Sequence, residues 1–163
     1  MGVGAAFQDG ARGVGLIVEI VLCTVGKPRL AYAAAGSAEY LGRLRRYGPV
    51  EWRVAKSGSR EMESRRLLEL SAGCIRVALD RSGDLFSSEQ VAELIGSHEM
   101  RATRRLAFLI GGAEGFGAAF LAGCDRRWSL GPQTLPHELA LVVVLEQIYR
   151  ARTIQRGEPY HRA

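Results

Sequence analysis

The 163-residue sequence predicts an α/β fold with a mainly parallel sheet. Three observations carry the prediction. Short β-branched or apolar runs alternate with longer segments of helical periodicity along the chain. Leu106–Ile110 is apolar at every position, as a strand covered by helices on both faces is. No internal repeat or linker interrupts the alternation, so residues 16–163 read as a single domain.

Residues 1–15 are rich in Gly and Ala and lack apolar periodicity; they read as a flexible N-terminal extension or as a start codon placed too far upstream. The first strand is expected over Leu16–Thr24, followed by the Gly26-Lys27-Pro28 break. Leu30–Tyr47 has Tyr40, Leu41 and Leu44 on one helical face, and Gly48-Pro49 stops it. A strand at Val50–Ala55, a charged amphipathic helix at Glu61–Leu70 and a strand at Ile75–Leu79 come next. Asp80 closes that strand and caps an Arg81–Asp84 turn. Ser87 or Ser88 caps a helix with Glu89 in its first turn, running to about Ile95. After Leu106–Ile110 come glycines 111, 112, 115 and 117, a short helix near Ala118–Gly123, and a short strand at Trp128–Leu130. A loop over Gly131–Leu135 leads into a long helix from Pro136 to about Gln155.

Composition excludes more than it selects. The apolar run Leu16–Val25 is broken by Glu19, and Leu139–Leu145 is too short to span a bilayer, so neither a membrane helix nor a signal peptide is expected. Three cysteines at 23, 74 and 124, with no Cys/His cluster, argue against zinc or a disulfide framework. Cys23 and Cys74 read as buried thiols, which suits a reducing cytoplasm. A net charge of +5 permits an anionic partner without naming it. Arginines 43, 45, 46, 53, 60, 65 and 66, with Lys56, form a candidate basic face, diluted by Glu61, Glu63 and Glu69.

The segment Leu109–Gly117 (LIGGAEGFG) is the strongest site signal. It joins a strand to a helix, and its glycines let backbone approach a ligand closely. It is not the dinucleotide fingerprint, which belongs after the first strand of a βαβ unit. Nor is it a P-loop, since no Gly-Lys-Ser/Thr follows. Its place in the last third of the chain points to a different cofactor architecture. His137 and Glu138 open the long helix; the helix dipole accounts for Glu138 better than for His137.

Three stretches carry a family resemblance: LIGGAEGFG, then WSLGPQTLPHELALVVVLEQIYRARTI, then the terminal GEPYHRA. With VALDRSGDLFSSEQVAELI and EYLGRLRRY upstream, the chain from Leu16 onward closely resembles the RlmH family of the SPOUT superfamily, which methylates N3 of a pseudouridine in large-subunit (23S) rRNA of assembled ribosomes. The resemblance implies a SPOUT-type α/β fold with a deep C-terminal trefoil knot, a cytoplasmic homodimer, and S-adenosyl-L-methionine as cofactor. It implies that the cofactor lies against Leu79, Gly111 and Gly112, and the loop Leu130, Gly131, Pro132, Gln133, Thr134 and Leu135. It also implies catalytic roles among His137, Tyr160, His161 and Arg162, the tail closing over the neighbouring subunit's cofactor. The family usually carries Arg where this chain has Leu141, and Ser in place of Gly131. Arg127 and Arg152 are candidate replacements for that missing cation. Two alternatives follow from these departures: a ribosome- or RNA-binding SPOUT protein that has lost turnover, and a SPOUT methyltransferase acting on another RNA such as tRNA.

Overall fold

A computed structural model describes residues 16–162; the expected extension at 1–15 lies outside them. Five strands and five helices alternate along the described chain: β1 Glu19–Val25, α1 Ala31–Leu44, β2 Val50–Ala55, α2 Arg60–Leu70, β3 Ile75–Leu85, α3 Ser88–Met100, β4 Arg105–Ile110, α4 Ala118–Ala122, β5 Arg126–Ser129 and α5 His137–Gln155. Every strand pair is parallel, in the order β2-β1-β4-β3-β5. The chain steps outward from β1 to β2, crosses to β3, and returns to fill the gap with β4. The order therefore reverses beside β4, where open α/β sheets form a crevice at the carboxyl ends of their strands.

Two apolar layers cover the sheet. Ile20, Leu22, Val77, Leu106 and Phe108 face α1, α3 and α5, contributing to a core with Leu44, Ile95, Val144, Leu145 and Ile148. Their neighbours Val21, Cys23, Ala78, Ala107 and Leu109 point the other way, toward Leu67 of α2 and Phe120 of α4. This is the period-2 alternation of strands buried on both faces, so the wholly apolar Leu106–Ile110 run reads as two faces rather than one. Burial pushes the Cys23 thiol up to about 12, which keeps it protonated and inert. Cys74, expected to be buried, is only half-buried, because it lies in the turn ahead of β3.

Two elements run past their expected ends. Helix α3 begins with a reciprocal cap, as expected: Gln90 N–H donates to Ser87 Oγ (3.1 Å), and Ser87 N–H to Gln90 Oε1 (2.8 Å). It continues through Gly96 to Met100 because Gly96 is a packing position: a Cβ there would stand 3.3 Å from Gln155 of α5. Strand β3 passes through the expected Arg81–Asp84 turn to Leu85. Asp80 does accept the Ser82 N–H (2.9 Å) and hydroxyl, but the result is a bulge. Leu79 and Asp84 both register with Trp128.

Candidate active site

A cavity of about 430 Å³ opens at the carboxyl ends of β3, β4 and β5, within the size range of small-molecule sites. Leu79, Gly111, Gly112, Leu130, Gly131, Gln133, Thr134 and Leu135, the residues expected at the cofactor, all line it. Pro132 is exposed and is not among the lining residues. The walls also include Asp80, Arg81, Glu114, Phe116 and Trp128, none of which the sequence singled out for binding.

The three lining loops are shaped by local chemistry. Phe116 folds back over the glycine turn, so that a Cβ on Gly111 would meet its ring at 3.2 Å. A Cβ on Gly112 would lie 2.6 Å from Glu63 Oε2, so α2 packs directly on that turn. Gly115 N–H donates to Gly112 O (3.0 Å) and closes it. In the third loop Ser129 Oγ donates to Gly131 O and accepts from Gly131 N–H, both at 3.2 Å. Gly131 has φ 127°, a conformation essentially restricted to glycine. A Ser would be strained there, although a Cβ would meet nothing within 4 Å.

The residues present fit an adenosine-bearing sulfonium cofactor. Leu79, Leu130 and Leu135 form an apolar slot for a purine, the glycine loops offer backbone donors and acceptors, and Asp80 and Glu114 supply negative charge toward a cation.

His137 is exposed on the wall of this cavity, at the first turn of α5. Its neighbour Glu138 points elsewhere and accepts from Arg29 N–H (3.0 Å) and Leu30 N–H (2.9 Å). These backbone donors, Leu30 first, hold its carboxyl below the usual carboxylate range. Glu138 is thus more than a residue suited to a helix start: it ties the β1–α1 loop to α5.

The tail does not reach the cavity of its own chain. Helix α5 is about 27 Å long, and the tail leaves its far end before folding back. Tyr160 donates to Glu146 Oε1 (3.0 Å) and packs edge-on against Tyr149, with Arg150 over its ring at 4.7 Å. His161 Nε2 pairs with Glu89 Oε1 of α3 at 2.7 Å, and Arg162 is exposed. Glu146 is roughly 13 Å along α5 from His137. Within one chain, then, His137 and the tail residues form two separate groups. Tyr149 is a packing residue as expected, and Arg150 is engaged by Glu146 at 2.7 Å.

Neither Arg127 nor Arg152, the two candidate replacement cations, lines the cavity of its own chain. Arg152 is only 5% exposed. It pairs with Glu99 at 2.5 Å and donates to Val18 O (3.1 Å), clamping the start of β1 on the side of the sheet where α3 meets α5. Arg127 is exposed and lines a different hollow, with Ser82 and Cys124. Leu141 itself is 3% exposed and packs in the α5 core. The candidate basic face is likewise partly committed: Arg43 pairs with Glu39, Arg53 with Glu51, and Arg66 donates to the carbonyls of Lys56 and Ser57.

Comparison with known proteins agrees with this geometry. Residues 18–161 match the family described as predicted SPOUT methyltransferase, and the chain belongs to that family. Within it, the chain is similar to the ribosomal RNA large subunit methyltransferase H of Deinococcus radiodurans, at 43% identity over 141 residues, covering 86% of this chain and 97% of that one. Its similarity to the protein of the same name from Thermus thermophilus is also 43%, over 138 residues, covering 85% and 94%. These are the RlmH proteins to which the C-terminal motifs pointed. Solved structures share the fold at low identity. A probable methylase family protein from Haemophilus influenzae aligns with a TM-score of 0.56 and 14% identity over 90% of this chain and 70% of that one. A probable methyltransferase from Bordetella pertussis aligns at 0.53 and 16%, over 83% and 96%. Among the described residues no helix is long and apolar enough to cross a membrane, and no group of three or more His, Cys, Asp or Glu is placed to hold a metal.

Proposed function

We propose that this chain transfers the methyl group of S-adenosyl-L-methionine to N3 of a pseudouridine in 23S rRNA, on assembled ribosomes in the cytoplasm. The observation that carries the reading is the cavity in which Leu79, the glycine turn and the Leu130–Leu135 loop converge, in a chain 43% identical to methyltransferases named for the large ribosomal RNA. The cofactor, held by Leu79, Gly111, Gly112 and Leu130, supplies an activated methyl group. The protein's own part is to orient the base, exclude water and help remove the imide proton. In this reading His137, which lines the cavity, takes that proton.

The functional unit is a homodimer in this reading, and the segment from β4 to α5 forms a deep trefoil knot. Support for the dimer comes from the separation of the two groups of candidate catalytic residues. Tyr160, His161 and Arg162 lie away from their own cavity and would complete the site of a second copy. An aromatic ring and a cation suit a splayed-out base and its phosphate.

The test is transfer of labelled methyl from S-adenosyl-L-methionine to ribosomes that carry the pseudouridine but lack its N3-methyl group. Incorporation lost in His161→Ala or Arg162→Ala, and restored in a mixed dimer with a His137→Ala protomer, supports the composite site. Cofactor binding without incorporation would point instead to another RNA substrate, such as tRNA, or to a binding protein that no longer turns over.

A further inference from the structure

The loop from Gly26 to Leu30, between β1 and α1, is fixed at both ends by groups far away in sequence. At its start, Gly26 N–H donates to Ala55 O (2.8 Å). The buried Thr24 hydroxyl donates to Gly26 O (3.0 Å) and accepts from Trp52 Nε1 (2.9 Å). At its end, the Arg29 and Leu30 N–H groups donate to the Glu138 carboxylate. Gly26 holds φ 69°, and Pro28 adds a fixed φ between the two anchors. Connecting loops ordinarily lack such anchorage.

What the loop presents is Lys27. With Glu138 and Leu141 it lines a small hollow that shares Ile110, Gly111 and His137 with the main cavity, so it stands at the lip of the proposed methyl-transfer site. Lys27 is exposed and, like Arg81 on the main cavity wall, has no ion-pair partner among the described residues, whereas Arg43, Arg53, Arg150 and Arg152 are paired. A lysine on a braced loop, facing the cavity rim with its charge unspent, suits a fixed anionic group of a substrate. In an RNA strand that group is a backbone phosphate.

We propose that Lys27 anchors a phosphate of the substrate RNA at the lip of the cavity, and that Glu138 is the positioning residue that sets the Lys27 loop against α5. This rests on the reading of the chain as an RNA methyltransferase. Lys27 acts on docking rather than on the methyl transfer itself, so its loss shows in KM and in salt dependence.

The experiment compares the full-length wild type with Lys27→Ala, Lys27→Arg, Glu138→Ala and the Lys27→Ala/Glu138→Ala double variant. It uses unmethylated ribosomes, in turnover and in ribosome sedimentation, at low and high salt. Lys27→Ala is expected to raise KM and the dissociation constant roughly tenfold at low salt, the weight of one charge-assisted contact. The ratio to wild type should shrink as salt rises. Affinity for S-adenosyl-L-methionine and the thermal midpoint should not change, and Lys27→Arg should retain most of the binding. Glu138→Ala should raise KM in the wild-type background and add little to Lys27→Ala, as coupled residues do. Additive effects would overturn the positioning role of Glu138. A Lys27→Ala variant with wild-type KM, binding and salt response would overturn the proposal. A wild type that sediments with ribosomes but transfers no methyl would refute the enzymatic reading alone, since the Lys27 comparison is still read from binding.

Discussion

Replacing Gly83, the one glycine within the described strands, with alanine should destabilise the protein. Gly83 lies in the bulge of β3, where the strand crosses β5. An ideal Cβ at this position would lie 2.6 Å from the Arg127 carbonyl carbon, 2.7 Å from Trp128 N and 2.8 Å from Arg127 O. Carbon contacts settle near about 3.5 Å, so β5 would have to retreat by roughly 0.9 Å. The obstacle is backbone, which cannot rotate aside as a side chain can. Overpacking of this kind costs about 1–3 kcal/mol, and each ladder hydrogen bond that β5 loses adds about 1 kcal/mol. A total of about 2–4 kcal/mol would lower the thermal midpoint of a chain this size by roughly 5–15 °C. The same shift displaces Trp128, packed edge-on against Phe108, and with it the Leu130–Leu135 wall of the cavity. Affinity for S-adenosyl-L-methionine should therefore fall together with stability. Denaturant unfolding and calorimetric titration of Gly83→Ala measure both. Gly123→Ala is the control, because its Cβ would meet Phe120 O at an ordinary 3.5 Å. A Gly83→Ala protein with wild-type stability and cofactor affinity would refute the reasoning.

Three further outcomes are expected. Arg152→Ala leaves Glu99 and the Val18 carbonyl without their buried partner, and should cost about 3–5 kcal/mol in denaturant unfolding while leaving kcat unchanged. Leu141→Ala should cost about 2–5 kcal/mol as a core truncation, and a smaller loss on unfolding would mean that the site is only loosely packed. His98 is buried, and desolvation, with Arg101 nearby, holds its pKa below the ordinary value of about 6.5. The unfolded chain binds this proton more readily, so stability present above about pH 6.5 is lost as pH falls through the folded value; thermal midpoints at about pH 7.5 and 5.5 should differ less in His98→Asn than in the wild type.

Much of the frame is legible in the sequence because its causes are local. Strand β4 and the glycine turn announce themselves within the thirteen residues Arg105–Gly117, and the Ser87 and Gln90 cap is written three positions apart. What escapes is set by partners far along the chain. Arg81–Asp84 has the composition of a turn, and only β5, more than 40 residues later, draws it into a bulged strand. Glu138 fits a helix start and gives no local sign that its oxygens bind backbone 108 and 109 residues earlier. Arg152 reads as one more surface cation on a helix until α3 supplies Glu99. Asp80 and Arg81 join the cavity wall because the pairing of β3 with β4 stops at Ala78, a fact of sheet order.

The two departures from the RlmH pattern then have different physical standing. Gly131 is a change of backbone: at φ 127° a Ser would cost on the order of 1–3 kcal/mol, so in this chain the loop's shape and its glycine go together. The contacts that remain, from Ser129 to both polar groups of Gly131, keep the cofactor loop closed without that hydroxyl. Leu141 concerns charge: it packs in the α5 core and lines the hollow between α5 and the β1–α1 loop, so it brings no charge to that floor. Lys27 lines the same hollow from the opposite wall, held there by the carboxylate that directly follows His137. If Lys27 holds a substrate phosphate as proposed, the anchoring of Gly26–Leu30 by Ala55, Thr24 and Glu138 serves the site as the glycine turn does.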